Sequence, residues 1–173
     1  MKDPFTPDPK LQEMARNFAP GAVEFAAKHF QTKLDYSDSS VAAVETILDR
    51  LHRSLAAAAP PKEQIDHYAQ LFGCYLGETF RRNHAATWGI IPSGASKVPS
   101  MRSGKTGTVF YPLTRVYKRI TQGDEENVVA YYHYLLNELN EAPAAATSVQ
   151  PPLPQTPPPL AEKKSFLSRL FGK

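Results

Sequence analysis

The stretch "IDHYAQLFGCYLGETF", residues 65–80, places apolar side chains around most of a predicted helix. These positions recur at helical spacing and cover a wide face: Ile65, Tyr68, Leu71, Phe72, Tyr75, Leu76 and Thr79. A helix with so wide an apolar face must be surrounded by other elements, so we expect it at the centre of the domain. Gly73 and Gly77 lie four residues apart, which in a lipid helix would suggest dimerisation. Here the spacing favours close packing of another element within the domain.

The segments around this helix predict an α+β fold with the element order ααα-βββ-αα. Two helices precede it: the first is expected to break or kink at Pro20-Gly21, and the second to follow an N-cap at Ser37 or Asp38. Three short strands rich in β-branched and aromatic residues are predicted after it, in "TWGIIP", "SKVPSMR" and "GTVFYP". We expect them to form a small antiparallel meander, in which Pro99 suggests an edge strand or a bulge.

Two further helices are predicted at the end of this domain, over residues 112–123 and 124–140. The first would direct three basic side chains outward, and the second would begin with three acids at its positive end. The basic residues are Arg115, Lys118 and Arg119, and the acidic residues are Asp124, Glu125 and Glu126.

Composition divides the chain into three parts. Residues 1–141 have the pattern of one folded α+β domain. Residues 142–161 contain seven prolines and no charged residue, which predicts a disordered linker that favours extended polyproline II. At ~3.1 Å per residue such a linker would reach on the order of 60 Å. Residues 162–173, "EKKSFLSRLFGK", form a basic amphipathic segment that is a candidate docking peptide.

Charge is distributed in blocks along the chain. Residues 1–78 carry a net charge of −3, residues 79–123 carry +8 with no acid, residues 124–141 carry −5, and residues 142–173 carry +3. The folded part is therefore neutral, and the basic net charge of the chain comes from the tail. This distribution argues against a protein that binds nucleic acid through its whole surface.

Three sequence segments resemble a family of uncharacterised bacterial domains. They are "LDYSDSSVAAVETIL", "GCYLGETFRRNHAATWGI" and "GTVFYPLTRVYKRITQGDEENVVAYYHYLL". The matching positions are Leu34, Asp35, Ser37, Phe72, Gly73, Leu76, Gly77, Glu78, Trp88, Phe110, Pro112, Leu113, Lys118, Arg119 and Gly123; Phe72 departs from the usual Leu. The resemblance covers roughly residues 20–137 and implies a single α+β domain from a bacterium. It implies no activity.

The sequence contains few arrangements that suggest catalysis. "SGKTG", residues 103–107, lacks the preceding glycine and the following helix of a phosphate-binding loop, so we expect a hairpin turn. Cys74 lies within the apolar run and is expected to be an inert core residue rather than a nucleophile. No two of the five histidines have ligand spacing on one helix, so no metal and no cofactor are expected.

Glu78 is the acidic residue that most needs an explanation, because it follows an apolar run. Arg81 and Arg82 lie three and four residues further on, where a helical Glu can pair with them. We expect Glu78 to be a structural clamp between helix and sheet. The alternative is an enzyme of unrecognised type that uses Glu78 as a general base, with Arg81 or His84 as its partner.

The acid-free segment 79–123 has two interpretations. It could form a basic face for nucleic acid, anionic lipid or an acidic protein, or its charge could be compensated internally by the acidic helix that follows. Nucleic acid is the least favoured of these partners, and binding would be weak. The candidate residues of this basic face are Arg81, Arg82, Arg102, Lys105, Arg115, Lys118 and Arg119.

The C-terminal segment places large apolar residues on one side of a possible helix and bases elsewhere. The candidate docking residues are Lys163, Lys164, Phe166, Leu167, Arg169, Leu170 and Phe171. They could enter a groove on a partner protein, bind an anionic membrane, dock on the acidic helix 124–140 or serve no purpose.

These features favour a non-catalytic adaptor, in which the domain binds one partner and the tail reaches a second protein or an anionic membrane. A single cysteine and the polar N-terminus "MKDPFTPDPK" favour a cytoplasmic location, with peripheral contact at the inner membrane as an option.

Overall fold

The computed structural model describes residues 4–141, which form five α-helices and one antiparallel sheet of four strands. The helices are α1 Pro9–Phe30, α2 Ser40–Ala58, α3 Lys62–His84, α4 Pro112–Gln122 and α5 Val128–Glu141. The strands are β1 Thr6–Pro7, β2 Ala86–Ser93, β3 Ser96–Ser103 and β4 Val109–Phe110. The predicted α+β fold is confirmed. The predicted linker 142–161 and tail 162–173 lie outside the described residues.

Helix α3 lies at the centre of the fold, as its sequence predicts. Every residue from Ala69 to Phe80 is buried, so this part of the helix is covered on all sides. Helix α1 packs on it through a buried row of small side chains: Ala15, Ala19, Ala22 and Ala26. Helix α4 packs on it at Gly73, where an added Cβ would lie 2.7 Å from Leu113 Cα. No helix within residues 4–141 combines the length and apolar character needed to cross a bilayer.

Gly77, the second glycine of α3, allows the sheet to pack closely on this helix. The ring of Trp88 is fully buried against Gly77, where an added Cβ would lie 2.2 Å from Trp88 Cζ2 and 2.8 Å from Met101 Sδ. Trp88 and Met101 are partners in the register of β2 and β3. The interpretation of Gly73 and Gly77 as sites of close packing is therefore confirmed.

The sheet has the strand order β1-β2-β3-β4, and all neighbouring strands are antiparallel. The prediction of three strands missed β1, which has only two residues and therefore no periodic pattern. The predicted third strand is reduced to Val109–Phe110. Pro99 lies opposite Ile90 of β2, and on the other side of β3 the described strand β4 pairs only with Met101 and Arg102, so that side of β3 is an edge at Pro99.

Helix α1 is continuous through Pro20, so the predicted break does not occur. Pro20 and Arg16 both lie on the exposed side of the helix. Water can therefore satisfy the Arg16 carbonyl that loses its intrahelical donor. Burial of Ala19 and Ala22 on the opposite side keeps the helix on α3.

The last helix begins later than predicted, at Val128, and the three acids do not lie in its first turn. Asp124–Glu126 instead form a separate 3₁₀ turn. The free N–H groups at the start of α5 are bonded by Asn127 Oδ1, which accepts from Val129 and Ala130, and by Glu45 of α2, which accepts from Val128.

Substitution Gly77→Ala should destabilise the fold by about 1–3 kcal/mol, because the buried indole of Trp88 has no free space to move into. Chemical denaturation measures the change. Gly21→Ala is the matched control, since its Cβ would meet only the flexible Leu71 Cδ2 at 2.9 Å. We expect the control to be neutral or stabilising by up to about 1 kcal/mol. Equal effects of the two substitutions would contradict this account.

Candidate functional site

An open groove lies where the C-terminal ends of α3 and α5 meet the turn between β3 and β4, and its volume is about 760 Å³. Helix α3 ends at Ala85, whose φ of 51° turns the chain into β2. The Ala85 carbonyl accepts from Gly104 N–H at 2.8 Å, which fixes the β3–β4 turn beside the helix end. This contact places Lys105 at the groove, together with Arg81 and Arg82 of α3.

The "SGKTG" segment forms the predicted hairpin turn. Ser103 Oγ accepts from the N–H groups of Lys105 and Thr106, and Ser103 N–H donates to the Thr108 carbonyl. A two-residue strand, β4, follows the turn, whereas a phosphate-binding loop would lead into a helix.

Asp38 is the centre of a hydrogen-bond network at one wall of the groove. Its Oδ1 accepts from Tyr132 Oη at 2.6 Å and from Asn83 Nδ2 at 3.0 Å. Its Oδ2 lies 2.8 Å from His84 Nε2. The network joins the α1–α2 loop, the end of α3 and helix α5. Asp38 was predicted only as a possible N-cap, because its partners lie 45 to 94 residues away in sequence.

The same network perturbs two pKa values. Burial by itself would raise the pKa of Asp38, but the hydrogen bonds from Tyr132, His84 and Asn83 outweigh it and hold the pKa below its ordinary value. Burial, with the hydrogen bond to Asp38 added, raises the pKa of Tyr132. Asp38 is therefore ionised and Tyr132 is protonated near neutral pH.

Glu78 is completely buried and is engaged at both oxygens. Arg81 donates through Nε to Oε1 and through Nη2 to Oε2, both at 2.9 Å, and the indole of Trp88 donates to Oε1 at 2.9 Å. The hydrogen bonds to Glu78 raise the pKa of Arg81. This is the geometry of a helix-to-sheet clamp, and it leaves Glu78 without an open side for a substrate. Glu78 is not among the residues that line the groove.

The seven candidate residues of the basic face are divided among different environments. Arg81, Arg82 and Lys105 line the groove. Arg115 and Lys118 both pair with Glu126, and the Arg102 guanidinium lies 4.2 Å from the centre of the Phe5 ring. The structure thus shows internal compensation for part of the +8 segment, with Glu126 of the acidic region as one counter-ion.

The prediction that Arg119 faces outward is wrong, because its side chain is only 1% exposed. Arg119 Nε donates to Glu45 at 2.6 Å, and Nη2 donates to Asp49 at 3.1 Å and to Asp124 at 2.9 Å. Burial by itself would lower the pKa of Arg119, but the hydrogen bonds to Glu45 and Asp49 and the charge of Asp124 raise it. The cluster joins α2, α4 and the 3₁₀ turn.

The remaining candidates for chemistry have structural roles. Cys74 is fully buried, and burial together with the nearby charge of Glu78 raises the pKa of its thiol, so the reactive thiolate is disfavoured. His52 Nδ1 lies 2.7 Å from the Ile120 carbonyl at the end of α4. Within residues 4–141, no group of three or more His, Cys, Asp and Glu side chains is arranged to hold a metal ion. The tail candidates from Lys163 to Phe171 lie outside the described residues.

Comparison with known proteins finds a match to one family model. Residues 48–132 match the model of a domain of unknown function, DUF3806. The predicted resemblance to an uncharacterised family is therefore confirmed. The matched range is shorter than the range 20–137 over which the resemblance was predicted. It includes Glu78, Trp88 and Arg119 and leaves out Asp38 and Glu45.

The fold is also similar to a solved crystal structure from Bacteroides thetaiotaomicron, with a TM-score of 0.53 and 11% sequence identity. The alignment covers 79% of this chain and 49% of the other, so this chain spans about half the length of that protein. At this identity the likeness shows a shared fold. No curated protein matches the chain.

Substitution Arg119→Met should reduce the free energy of unfolding by about 1.5–3 kcal/mol, because it removes the charged donor of the carboxylate of Glu45, whose side chain is only 14% exposed. Arg53→Met is the matched control, since Arg53 also pairs with Asp49 but is 75% exposed. The control should lose less than about 1 kcal/mol. Urea denaturation of both variants tests the difference, and similar losses would contradict it.

Substitution Asp38→Asn should reduce stability at neutral pH by about 0.5–1.5 kcal/mol through weaker hydrogen bonds to Tyr132 and His84, since the Asp38 side chain is 37% exposed and solvent screens its charge. The pKa of Asp38 is lower in the folded state, so its contribution is complete above the unfolded pKa of about 3.9 and is lost as the pH falls through the folded pKa.

The difference in unfolding free energy between the wild type and Asp38→Asn should therefore shrink on acidification. Urea denaturation across a pH series measures it. Asp66→Asn, which breaks the helical pair with Lys62, is the control and should give a small difference at neutral pH. An Asp38→Asn difference that stays constant down to pH values below the folded pKa would refute the assignment.

Proposed function

We propose that this protein is a non-catalytic adaptor. Its folded domain binds one partner, and the C-terminal peptide 162–173 docks on a second protein or on an anionic membrane. The feature that carries the proposal is the composition of the chain after residue 141: a proline-rich segment without charged residues, 142–161, is followed by the basic amphipathic segment 162–173. A proline-rich segment of this kind does not have the apolar content of a core element, so we expect it to act as a spacer for the peptide that follows.

The position of α5 supports the same proposal. Its last turns line the open groove through Leu136, Leu139 and Asn140. The chain then continues into the proline-rich segment 142–161, whose composition suits a spacer between two binding elements. A domain with an open groove and a tethered basic amphipathic peptide can contact two partners at once, which raises the effective concentration of the second.

The enzyme alternative is less well supported, because it requires Glu78 to face a cleft. Both oxygens of Glu78 are engaged by Arg81 and Trp88, and the side chain is completely buried. The nucleic-acid alternative requires a continuous basic surface. Arg119 is buried and Arg115 is paired with Glu126, which reduces the positive charge available to phosphates.

We place the protein in the cytoplasm under this proposal, with reversible contact at the inner membrane if the tail binds lipid. On an anionic surface each base of the tail contributes ~1 kcal/mol. Each large apolar side chain adds at most ~1.5–3 kcal/mol if fully buried. Ordering the backbone costs ~1–2 kcal/mol per residue, so a single copy should bind weakly.

Deletion of residues 162–173 should leave the melting temperature unchanged, because the segment follows a proline-rich linker whose composition does not support a packed core. The deletion should remove a captured protein or the membrane-bound fraction. Affinity capture and binding to anionic vesicles, with the full-length chain beside the deletion, measure both outcomes. Identical capture and fractionation profiles for the two proteins would refute the adaptor proposal.

Two full-length double variants separate the two docking targets. Phe166→Ser with Leu170→Ser removes apolar anchors and keeps all charges, whereas Lys163→Ala with Lys164→Ala removes two charges and keeps the anchors. A protein groove should be most sensitive to loss of the anchors. An anionic membrane should also respond strongly to the lysine variant, and its binding should weaken with added salt.

A further inference from the structure

We infer that the groove between the ends of α3 and α5 binds an acidic peptide segment of a partner protein. The inference rests on the proposed adaptor function and names the ligand class of the domain's own binding surface. It depends on an imbalance in the groove: cationic donors are accessible, while the acceptor groups that could neutralise them are already engaged.

Arg82 is an accessible cation in the lining of the groove. Its guanidinium lies 3.5 Å from the centre of the Tyr36 ring, and its side chain is 42% exposed. The nearest carboxylate oxygen, Glu78 Oε2, is 3.9 Å from Nε, which is beyond hydrogen-bond distance. This contact with the Tyr36 ring positions the Arg82 guanidinium and leaves N–H groups free to donate to a ligand. A guanidinium presented in this way suits bidentate binding of a carboxylate.

Two further cations lie in the same groove with part of their donor capacity unused. Lys105 Nζ donates to the Leu139 carbonyl, and an ammonium group has two more N–H bonds. Arg81 uses Nε and Nη2 to bind Glu78, and neither bond requires its Nη1. Both side chains are thus held in position by structural contacts.

The acidic group in the groove lining does not compensate these donors. Asp38 accepts from Tyr132 and Asn83 at Oδ1 and lies beside His84 at Oδ2. Helices α3 and α5 both end here, and their negative ends favour cations. The Lys105 bond to the Leu139 carbonyl is one such contact. The three cations are opposed by two carboxylates, Asp38 in the lining and Glu78 beneath Arg81, which leaves an excess of one positive charge and favours an anionic ligand.

The size and lining of the groove favour a peptide over a single inorganic ion. A volume of about 760 Å³ is large enough for several side chains. Leu136 and Leu139 contribute apolar surface beside the cations. A segment in which acidic residues alternate with apolar ones would match both features. The chain's own segment 162–173 has four bases and one acid, so its charge is unfavourable for this groove.

The test uses the full-length chain and a fluorescein-labelled short peptide in which Glu alternates with Leu. A copy with Gln in place of each Glu is the matched probe. We expect the Glu peptide to bind at low ionic strength, to weaken as salt is added, and to bind about tenfold or more tightly than the Gln copy. Fluorescence anisotropy measures the affinities. Backbone amide shifts at Asn83, Ala85, Lys105 and Asn140 should report the contact.

Arg82→Gln and Lys105→Met are two independent variants of the groove, each checked for folding by its thermal melt. Each should weaken binding of the Glu peptide by about tenfold, which is the effect expected of one charge-assisted contact. Lys97→Ala removes one charge at an exposed position near the opposite end of β3 and should change the affinity less than about twofold. Equal losses at Lys97 and at the groove positions would overturn the inference.

Three other results would also overturn it. Equal affinity for the Glu and Gln peptides would show that the peptide carboxylates do not contribute to binding. Competition by inorganic phosphate at concentrations matched to the peptide would assign the groove to a small anion. Amide shifts in the groove on addition of the synthetic peptide 162–173 would assign it to the chain's own tail. These readouts do not use the tail's partners, so their failure is distinguishable from failure of the tail-deletion experiment.

Discussion

The buried carboxylate of Glu78 is the constraint on which the rest of the structure depends. An uncompensated charge at this depth would cost several kcal/mol, so the fold must deliver a cation and a neutral donor to it. Arg81 comes from the next turn of the same helix, and Trp88 comes from β2. The indole can reach Glu78 because Gly77 leaves room for it. One polar contact therefore fixes the end of α3, the start of β2 and the packing between them.

The groove lies next to that contact. Helix α3 continues beyond Arg81 to the α1–α2 loop, where the Arg82 guanidinium lies over the Tyr36 ring and His84 meets Asp38. The Arg119 cluster plays a similar part on another side of the domain, where it joins α4 to α2 and the 3₁₀ turn. Several charges of segment 79–123 thus stabilise the domain, and Arg81, Arg82 and Lys105 of the same segment line the groove.

Local patterns predicted much of the fold. The wide apolar face of α3 indicated a central helix, the two glycines indicated close packing, and "SGKTG" indicated a hairpin turn; all three predictions are confirmed. The errors have physical reasons. Continuity through Pro20 depends on the packing of α1 against α3. The burial of Arg119 depends on Glu45, which is 74 residues away in sequence. Strand β1 is too short for any periodicity to reveal it.

The candidate site was less predictable than the fold. The pairing of Glu78 with Arg81 could be predicted because both residues lie on one helix at a spacing of three. The hydrogen bond from the Trp88 indole and the network around Asp38 could not be predicted, since they join separate elements.

The sequence by itself determined the five helices and the apolar faces that form the core, because these follow from periodicity; the division of the chain into domain, linker and tail stays a prediction from composition. Only the tertiary structure decided which charges are engaged and which face the groove, because pairing between distant residues depends on how the helices pack.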